Sequence, residues 1–183
     1  MATHHIVAVS GSLRKASYNT ALINALKERA PADVSIEILD ISGLPVYDQD
    51  LEANFPAEVQ AMKEKILKAD GIVLATPEYN RSMSSAMKNF IDWSSRPYGT
   101  GPWGGKLVAV IGASMAHTGA MAAQEDLRKG LLFLGAHVLG QPEFYLGVAH
   151  EKIDASGKVT DADTLTHLDA VLTALISHIG SAQ

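Results

Sequence analysis

Short apolar, β-rich runs alternate along this chain with stretches in which apolar residues recur every three or four positions, and that alternation leaves few ways to fold it. The runs are Ile6 to Val9, Ile36 to Leu39, Ile72 to Ala75, Leu107 to Ile111 and Phe144 to Val148. Their length and β-branched content read as strands. The first, third and fourth are apolar at nearly every position, as expected for strands covered on both faces. Between them, Leu22, Leu26 and Ala30 mark a helix ended by Pro31, and Phe55, Val59, Met62, Ile66 and Ala69 mark a second. Met83, Met87, Phe90 and Ile91 give a third, Leu127, Leu131 and Leu134 a fourth that stops at Gly135, and Leu165, Leu168, Leu172, Leu175 and Ile179 a fifth.

Parallel strands need right-handed crossovers, and the crossover helices then cover both faces of the sheet. The expected fold is therefore α/β, a doubly wound five-stranded parallel sheet in the flavodoxin-like order 2-1-3-4-5. Ligands in such sheets bind beyond the carboxyl ends of the strands, where the strand order reverses, and the loop after the first strand lies there. Neither an internal repeat nor a low-complexity segment divides the chain, so residues 1–183 are expected to form one domain. Three segments depart from the alternation, 43–56, 96–105 and 148–163. The first two carry aromatics on turn-rich backbone, which suits pocket walls, with Tyr98 and Trp103 as candidates to face an acceptor.

Charge and cysteine content narrow the function. A formal net charge of -5, without any long block of like charge, disfavours nucleic acid and anionic membranes, which need clustered cations. The absence of cysteine excludes disulfides, thiolate metal sites and cysteine nucleophiles. The amino-terminal stretch MATHHIVAVSGS has too short an apolar run for a signal-peptide core or a membrane span, so a soluble cytoplasmic protein is expected. No histidine pair has metal-ligand spacing, and His117, His137 and His150 are given no catalytic role, although His117, after the fourth strand, is within a loop that could touch substrate.

The first strand runs into VAVSGSLRKASYNTAL. Ser10, Ser12, Ser17 and Asn19 surround a turn that enters a helix, whose amino-terminal N–H groups and dipole favour an anion. Arg14 adds a fixed charge with a donor fork matched to phosphate oxygens. Capping the helix needs only one such residue, and several converge here. Gly11 is the only glycine between strand and helix, so G-x-G-x-x-G is absent, and Ala16 and Ser17 stand where G-x-x-x-x-G-K-[ST] needs Gly-Lys. A mononucleotide with a terminal phosphate fits better, though the loop alone leaves its identity open. The segment after the third strand, ATPEYNRSMSSAMKNFIDW, has Pro77 to stiffen the turn, backbone of Glu78, Tyr79 and Asn80 to face a flat heterocycle, and Ser82 or Ser84 to cap the next helix.

Together these segments resemble the NADPH-dependent FMN reductases of the flavodoxin-like superfamily, in their quinone and chromate reductase branch. The matching residues are Gly11-Ser12-Leu13-Arg14-Lys15-x-Ser17-x-Asn19, Thr76-Pro77-Glu78-Tyr79-Asn80-x-Ser82, Lys88-Asn89-x-Ile91-Asp92-Trp93, Gln124-x-x-Leu127-Arg128 and Pro142-Glu143-Phe144. The resemblance implies that Ser12, Leu13, Arg14, Lys15, Ser17, Tyr18 and Asn19 hold the FMN phosphate with Ser10 as a further contact. It likewise implies that Pro77, Glu78, Tyr79 and Asn80 border the isoalloxazine, and that Ala113 and Ser114 approach its pyrimidine edge. The implied activity is hydride transfer from NADPH or NADH through FMN to quinones, flavin, ferric chelates, chromate or azo compounds, by a ping-pong mechanism without a catalytic side chain or metal. A flavodoxin-type electron carrier and a non-catalytic anion-binding module are the alternatives.

The family's Ser-x-Pro-Gly-x-Leu-Lys-Asn reads Ser82-Met83-Ser84-Ser85-Ala86-Met87-Lys88-Asn89 here, without its Pro and Gly. The arginine that many relatives carry soon after the glycine following strand four is missing from Ala120-Met121-Ala122-Ala123. The resemblance also implies a homodimer or homotetramer closing the pocket. Trp93 and the Met83, Met87 and Phe90 helix are expected to offer surplus apolar surface, and Asp92 or Glu143 to pair with Arg96 or Arg128 across the contact.

Overall fold

The computed structural model describes residues 4–181; positions 1–3 and 182–183 of the expected domain lie outside the described residues. In chain order the elements are β1 (His4–Ser10), α1 (Tyr18–Arg29), β2 (Val34–Leu39), α2 (Ala57–Lys68) and β3 (Gly71–Ala75). There follow β4 (Glu78–Tyr79), β5 (Ser82–Met83), α3 (Ser85–Ser94), β6 (Leu107–Ala113) and α4 (Met121–Phe133). The chain continues through β7 (His137–Val138), β8 (Phe144–Leu146), the single-turn α5 (Ala149–Lys152) and α6 (Ala162–Ser181), and a 3-10 turn at Gln49–Ala53 precedes α2. The main sheet runs β2-β1-β3-β6, with β7 and β8 both paired to β6, and every pairing is parallel. Counted by position this is the expected order 2-1-3-4-5 with the last position split.

Alternation along the strands sorts the core into two layers. Ile6, Ala8, Val73, Ala75, Ala109 and Ile111 face α1 and α6, while Val7, Val9, Ile72, Leu74, Val108 and Val110 face α2, α3 and α4. Local chemistry sets the helix starts. The Ser17 hydroxyl accepts from Thr20 N (3.2 Å), Ser84 from Met87 N (3.1 Å), and Asp161 from Thr164 N (2.8 Å). Of the capping candidates, Ser17 and Ser84 are therefore the ones used, and Pro31 follows the end of α1 as expected.

The last strand departs from the reading of Phe144 to Val148. It stops at Leu146 because Val148 turns into the left-handed region (φ 52) and opens α5. An earlier segment, β7, pairs His137 with Leu107 and Val138 with Val108, and pairing resumes only at Phe144 with Ile111. The edge between them bulges away from the sheet, where the Arg128 guanidinium closes the gap. It donates to Leu139 O (2.7 Å) and Val110 O (3.4 Å). Arg128→Met is expected to orphan these carbonyls and cost about 2 kcal/mol, lowering the melting temperature by roughly 4–8 °C in a chain of this size. An unchanged melt would mean that water serves both carbonyls equally well.

The two tryptophans are core residues, contrary to both expectations about them. Trp93 and Phe90 are fully buried, with Tyr47 and Phe55 edge-on to the Trp93 ring at 5.0 and 5.9 Å, and Trp103 packs edge-on against Phe90 at 6.0 Å. The chain itself fills the surface expected to be surplus. Because α3 runs back from the carboxyl ends of the strands, segment 96–105 lies at their amino ends, so Tyr98 and Trp103 cannot wall a site at the other end. Tyr98 is exposed beside Phe133. The charges expected across a subunit contact have partners within the chain: Asp92 with Lys88, Arg96 with Glu52, and Glu143 with the Tyr145 hydroxyl.

Candidate functional site

The loops after β1, β3, β6 and β8 gather at the carboxyl edge of the sheet. Backbone bonds tie their roots together: Gly11 N to Ala75 O (2.8 Å), Thr76 N to Ile111 O (3.0 Å) and Ser114 N to Leu146 O (3.0 Å). The described non-glycine residues with left-handed backbone, Asn80, Arg81, Ala120 and Val148, all occur here. Strained backbone gathers at functional sites because the surrounding structure must hold it.

In the β1–α1 loop, Ser10 shapes the turn. Its hydroxyl accepts from Thr20 Oγ1 (2.9 Å) and Ser12 N (3.3 Å) and donates to Ser12 O (3.4 Å). Ser84 Oγ donates to Gly11 O (2.5 Å), fastening the loop to the start of α3. Beyond Ser12 the loop is open. Among the described residues no hydrogen bond engages the N–H groups of Leu13, Arg14, Lys15 and Ala16, nor the side chains of Arg14 and Lys15, which are exposed. Tyr18, half-buried, opens α1, where the N–H groups of Tyr18 and Asn19 have no partner among the described residues while Ser17 caps that of Thr20. Unpaired amides, a helix dipole and two free cations form a donor set for a phosphate.

Asn19 does something the sequence reading missed. It is buried, with Nδ2 donating to Ala113 O (3.2 Å) and Oδ1 accepting from Ala113 N (3.0 Å). The amide clamps α1 to the end of β6. This uses one donor and one acceptor of the Asn19 side chain together with the N–H and carbonyl of Ala113. Half-buried Ser114 donates its hydroxyl to Ala116 O (3.0 Å), and Met115 to Thr118, His117 among them, are the exposed part of that loop.

Pro77 is buried, and the chain beyond it forms the β4–β5 hairpin, not read from the sequence, with Asn80 and Arg81 in its tight turn. Glu78 reaches from the hairpin to α4, whose own first residues lack a cap. Its Oε2 accepts from Ala122 N (3.0 Å) and Ala123 N (3.5 Å) while Oε1 pairs with Arg81 (3.2 Å). Ser82 Oγ donates to Asp126 (2.7 Å), holding that carboxyl below its usual range. The family-matching Gln124 is fully buried and donates to Gly119 O (3.3 Å) and Phe144 O (2.9 Å). Asn89 and Trp93 both donate to Pro45 O (2.9 and 2.8 Å) and so pin segment 44–47 beside the site. Most motif residues thus support the loops rather than line them, a distinction that spacing alone does not reveal. Leu13, Val46, Tyr79 and Met115, one on each of four adjoining loops, are at least half exposed and form an apolar rim.

Comparison with known proteins agrees with this arrangement. The family model for NADPH-dependent FMN reductase matches residues 4–151. The chain is 43% identical over 167 residues to a 2-hydroxy-1,4-benzoquinone reductase of a Burkholderia species, covering 91% of each chain. It is 43% identical over 173 residues to a quinone reductase of Escherichia coli K12, covering 92% of each. Among solved structures, FerB, a flavoenzyme NAD(P)H:(acceptor) oxidoreductase of Paracoccus denitrificans, superposes with a TM-score of 0.89 at 38% identity over 98% of both chains.

Proposed function

The chain belongs to the NADPH-dependent FMN reductase family, and from that premise we propose how its residues hold FMN and which acceptors it serves. It is an FMN-dependent NAD(P)H oxidoreductase. The observation that carries the site assignment is the open β1–α1 loop, whose unpaired N–H groups from Leu13 to Ala16 and free Arg14 and Lys15 suit a phosphate and little else.

In this reading Ser12 to Ala16 and the start of α1 hold the FMN phosphate, with Ser10, Ser17 and Asn19 keeping the loop in shape. Pro77 to Asn80 border the isoalloxazine, held by Glu78 against α4, and Met115 to Thr118 approach its other edge. When bound, FMN supplies a two-electron carrier between nicotinamide and acceptor. The protein orients both partners and excludes water. The acceptors are quinones or similar flat oxidants, because an apolar rim favours planar, weakly polar molecules over ions. The names of the relatives support this, and they disfavour a carrier that does not oxidise nicotinamide. Leu13, Val46, Tyr79 and Met115 further suit burial by a second copy in a homodimer or homotetramer. One domain over residues 1–183 and a cytoplasmic location complete the proposal; no described helix is long and apolar enough to cross a membrane.

Donor and acceptor are expected to use the same open face in turn. Initial rates with NADPH and a benzoquinone should then give parallel double-reciprocal lines. Intersecting lines, with a ternary complex trapped by a dead-end analogue, would require two separate sites.

A further inference from the structure

Helix α4 buries Ala123, Gln124, Leu127 and Leu131 and turns outward a row of residues four apart, Met121, Glu125, Lys129 and Phe133, with Leu132 beside the last. All five are exposed, Phe133 at 75% and Leu132 at 62%, and Tyr98, itself 73% exposed, lies 6.5 Å from the Phe133 ring. The row is apolar at both ends and oppositely charged in the middle. No ion pair engages Glu125 among the described residues, and Lys129 reaches Asp126 at 3.4 Å on the surface. The row is also self-complementary. Met121 and Phe133 stand six positions either side of Leu127, and Glu125 and Lys129 two positions either side. Two copies laid antiparallel, with a two-fold axis at the level of Leu127, set Met121 against the partner's Phe133 and Glu125 against the partner's Lys129. Each contact then occurs twice, as an isologous interface requires. Such rows of residues four apart pack on one another in the commonest class of helix contact.

We infer that α4 pairs antiparallel with α4 of a second copy, and that each copy completes the acceptor face of the other. Helix α4 begins at the carboxyl edge of the sheet, where Glu78 ties it to the β4–β5 hairpin, and ends at the amino edge. The antiparallel arrangement carries the partner's Phe133 and the partner's Tyr98 to the Met121 end, next to Tyr79 and Met115 on the apolar rim. Tyr98, at the wrong end of the sheet to serve its own chain, thereby serves the other. A helix of 13 residues is about 20 Å long, too short alone to bury the roughly 800 Å² per partner of a stable complex, and the rim continues the strip. The pairing rests on α4 itself, and the role at the acceptor face rests on the reading of the site above.

The test is the mass of the FMN-loaded protein by light scattering at micromolar concentration. Glu125→Lys and Lys129→Glu each set like charges opposite one another at both symmetric contacts, so either should weaken the pairing by ~100-fold and halve the wild-type mass. Mixed in equal amounts, the two variants face each other with opposite charges at both contacts and should recover that mass, which misfolded chains would not do. Tyr98→Ala should raise the KM for a benzoquinone by ~3-fold in the assembled protein and change nothing in Glu125→Lys, which has already lost the partner. A monomeric wild type, a single variant that keeps the wild-type mass, or a mixture that does not recover it would overturn the pairing. A Tyr98→Ala effect absent from the assembled protein, or equal in Glu125→Lys, would overturn the role at the acceptor face, and the light scattering decides the pairing whatever the chain reduces.

Discussion

Asn19→Ala is expected to cost about 2–5 kcal/mol in urea unfolding, because it leaves the N–H and the carbonyl of Ala113 buried without partners. The clamp joins the first helical turn of α1, beside the phosphate loop, to the last residue of the strand that launches segment 114–120. Its loss should also loosen both loops and weaken FMN by several-fold. Asn19→Asp keeps one acceptor but removes the donor and buries a carboxylate, so it should be no milder. A loss below about 1 kcal/mol for Asn19→Ala would show that water replaces the amide and that the two loops are held by other means.

An equally large effect is expected at Gly147, where the chain leaves β8. A Cβ built there would stand 2.3 Å from His117 O and 2.8 Å from His117 C, both backbone atoms of the facing loop. Gly147→Ala must therefore displace one loop or the other, at about 3 kcal/mol, or roughly 6–12 °C in melting temperature. The bond of Val148 N to Ala116 O (3.3 Å), in the same contact, should break with it. Gly104 is the control, since a Cβ there meets nothing within 4 Å and its backbone is not left-handed, so Gly104→Ala should be neutral or slightly stabilising. If the two variants melt together, the loops after β6 and β8 do not pack as closely as described.

The central strands were legible because burial on both faces writes itself into sequence, as Ile72-Val73-Leu74-Ala75 demonstrates: every residue of β3 is buried. Topology then followed from crossover handedness, and the place of the site from topology. The edge was not legible, because β7 and β8 are too short to carry a period and the bulge between them is sustained by Arg128 from another element. The hairpin was hidden for a similar reason: its turn uses Asn80-Arg81 in a conformation usually signalled by glycine. At the site, the sequence indicated which segments converge but not which side chains face outward. The sequence did not show that Asn19 and Ser17 also have structural roles, because the same groups that bind anions also cap helices and clamp strands, and only partners such as Thr20 N and Ala113 reveal them. Trp93 looked like surplus surface and Trp103 like a pocket wall because their aromatic partners, Tyr47, Phe55 and Phe90, come in part from segments with no regular period.

The central claim is that the loop from Ser12 to the start of α1 is built for the phosphate of FMN. The most direct measurement is a fluorescence-quenching titration of flavin-free protein with FMN and with riboflavin, which differ only in that phosphate. Two or more hydrogen bonds from amides or cations to a charged oxygen, at about 1.5–3 kcal/mol each, predict that FMN binds at least ~100-fold more tightly. Arg14→Ala should narrow that gap by weakening FMN and leaving riboflavin nearly unchanged. Equal affinity for the two flavins, or equal loss of both in Arg14→Ala, would contradict the account.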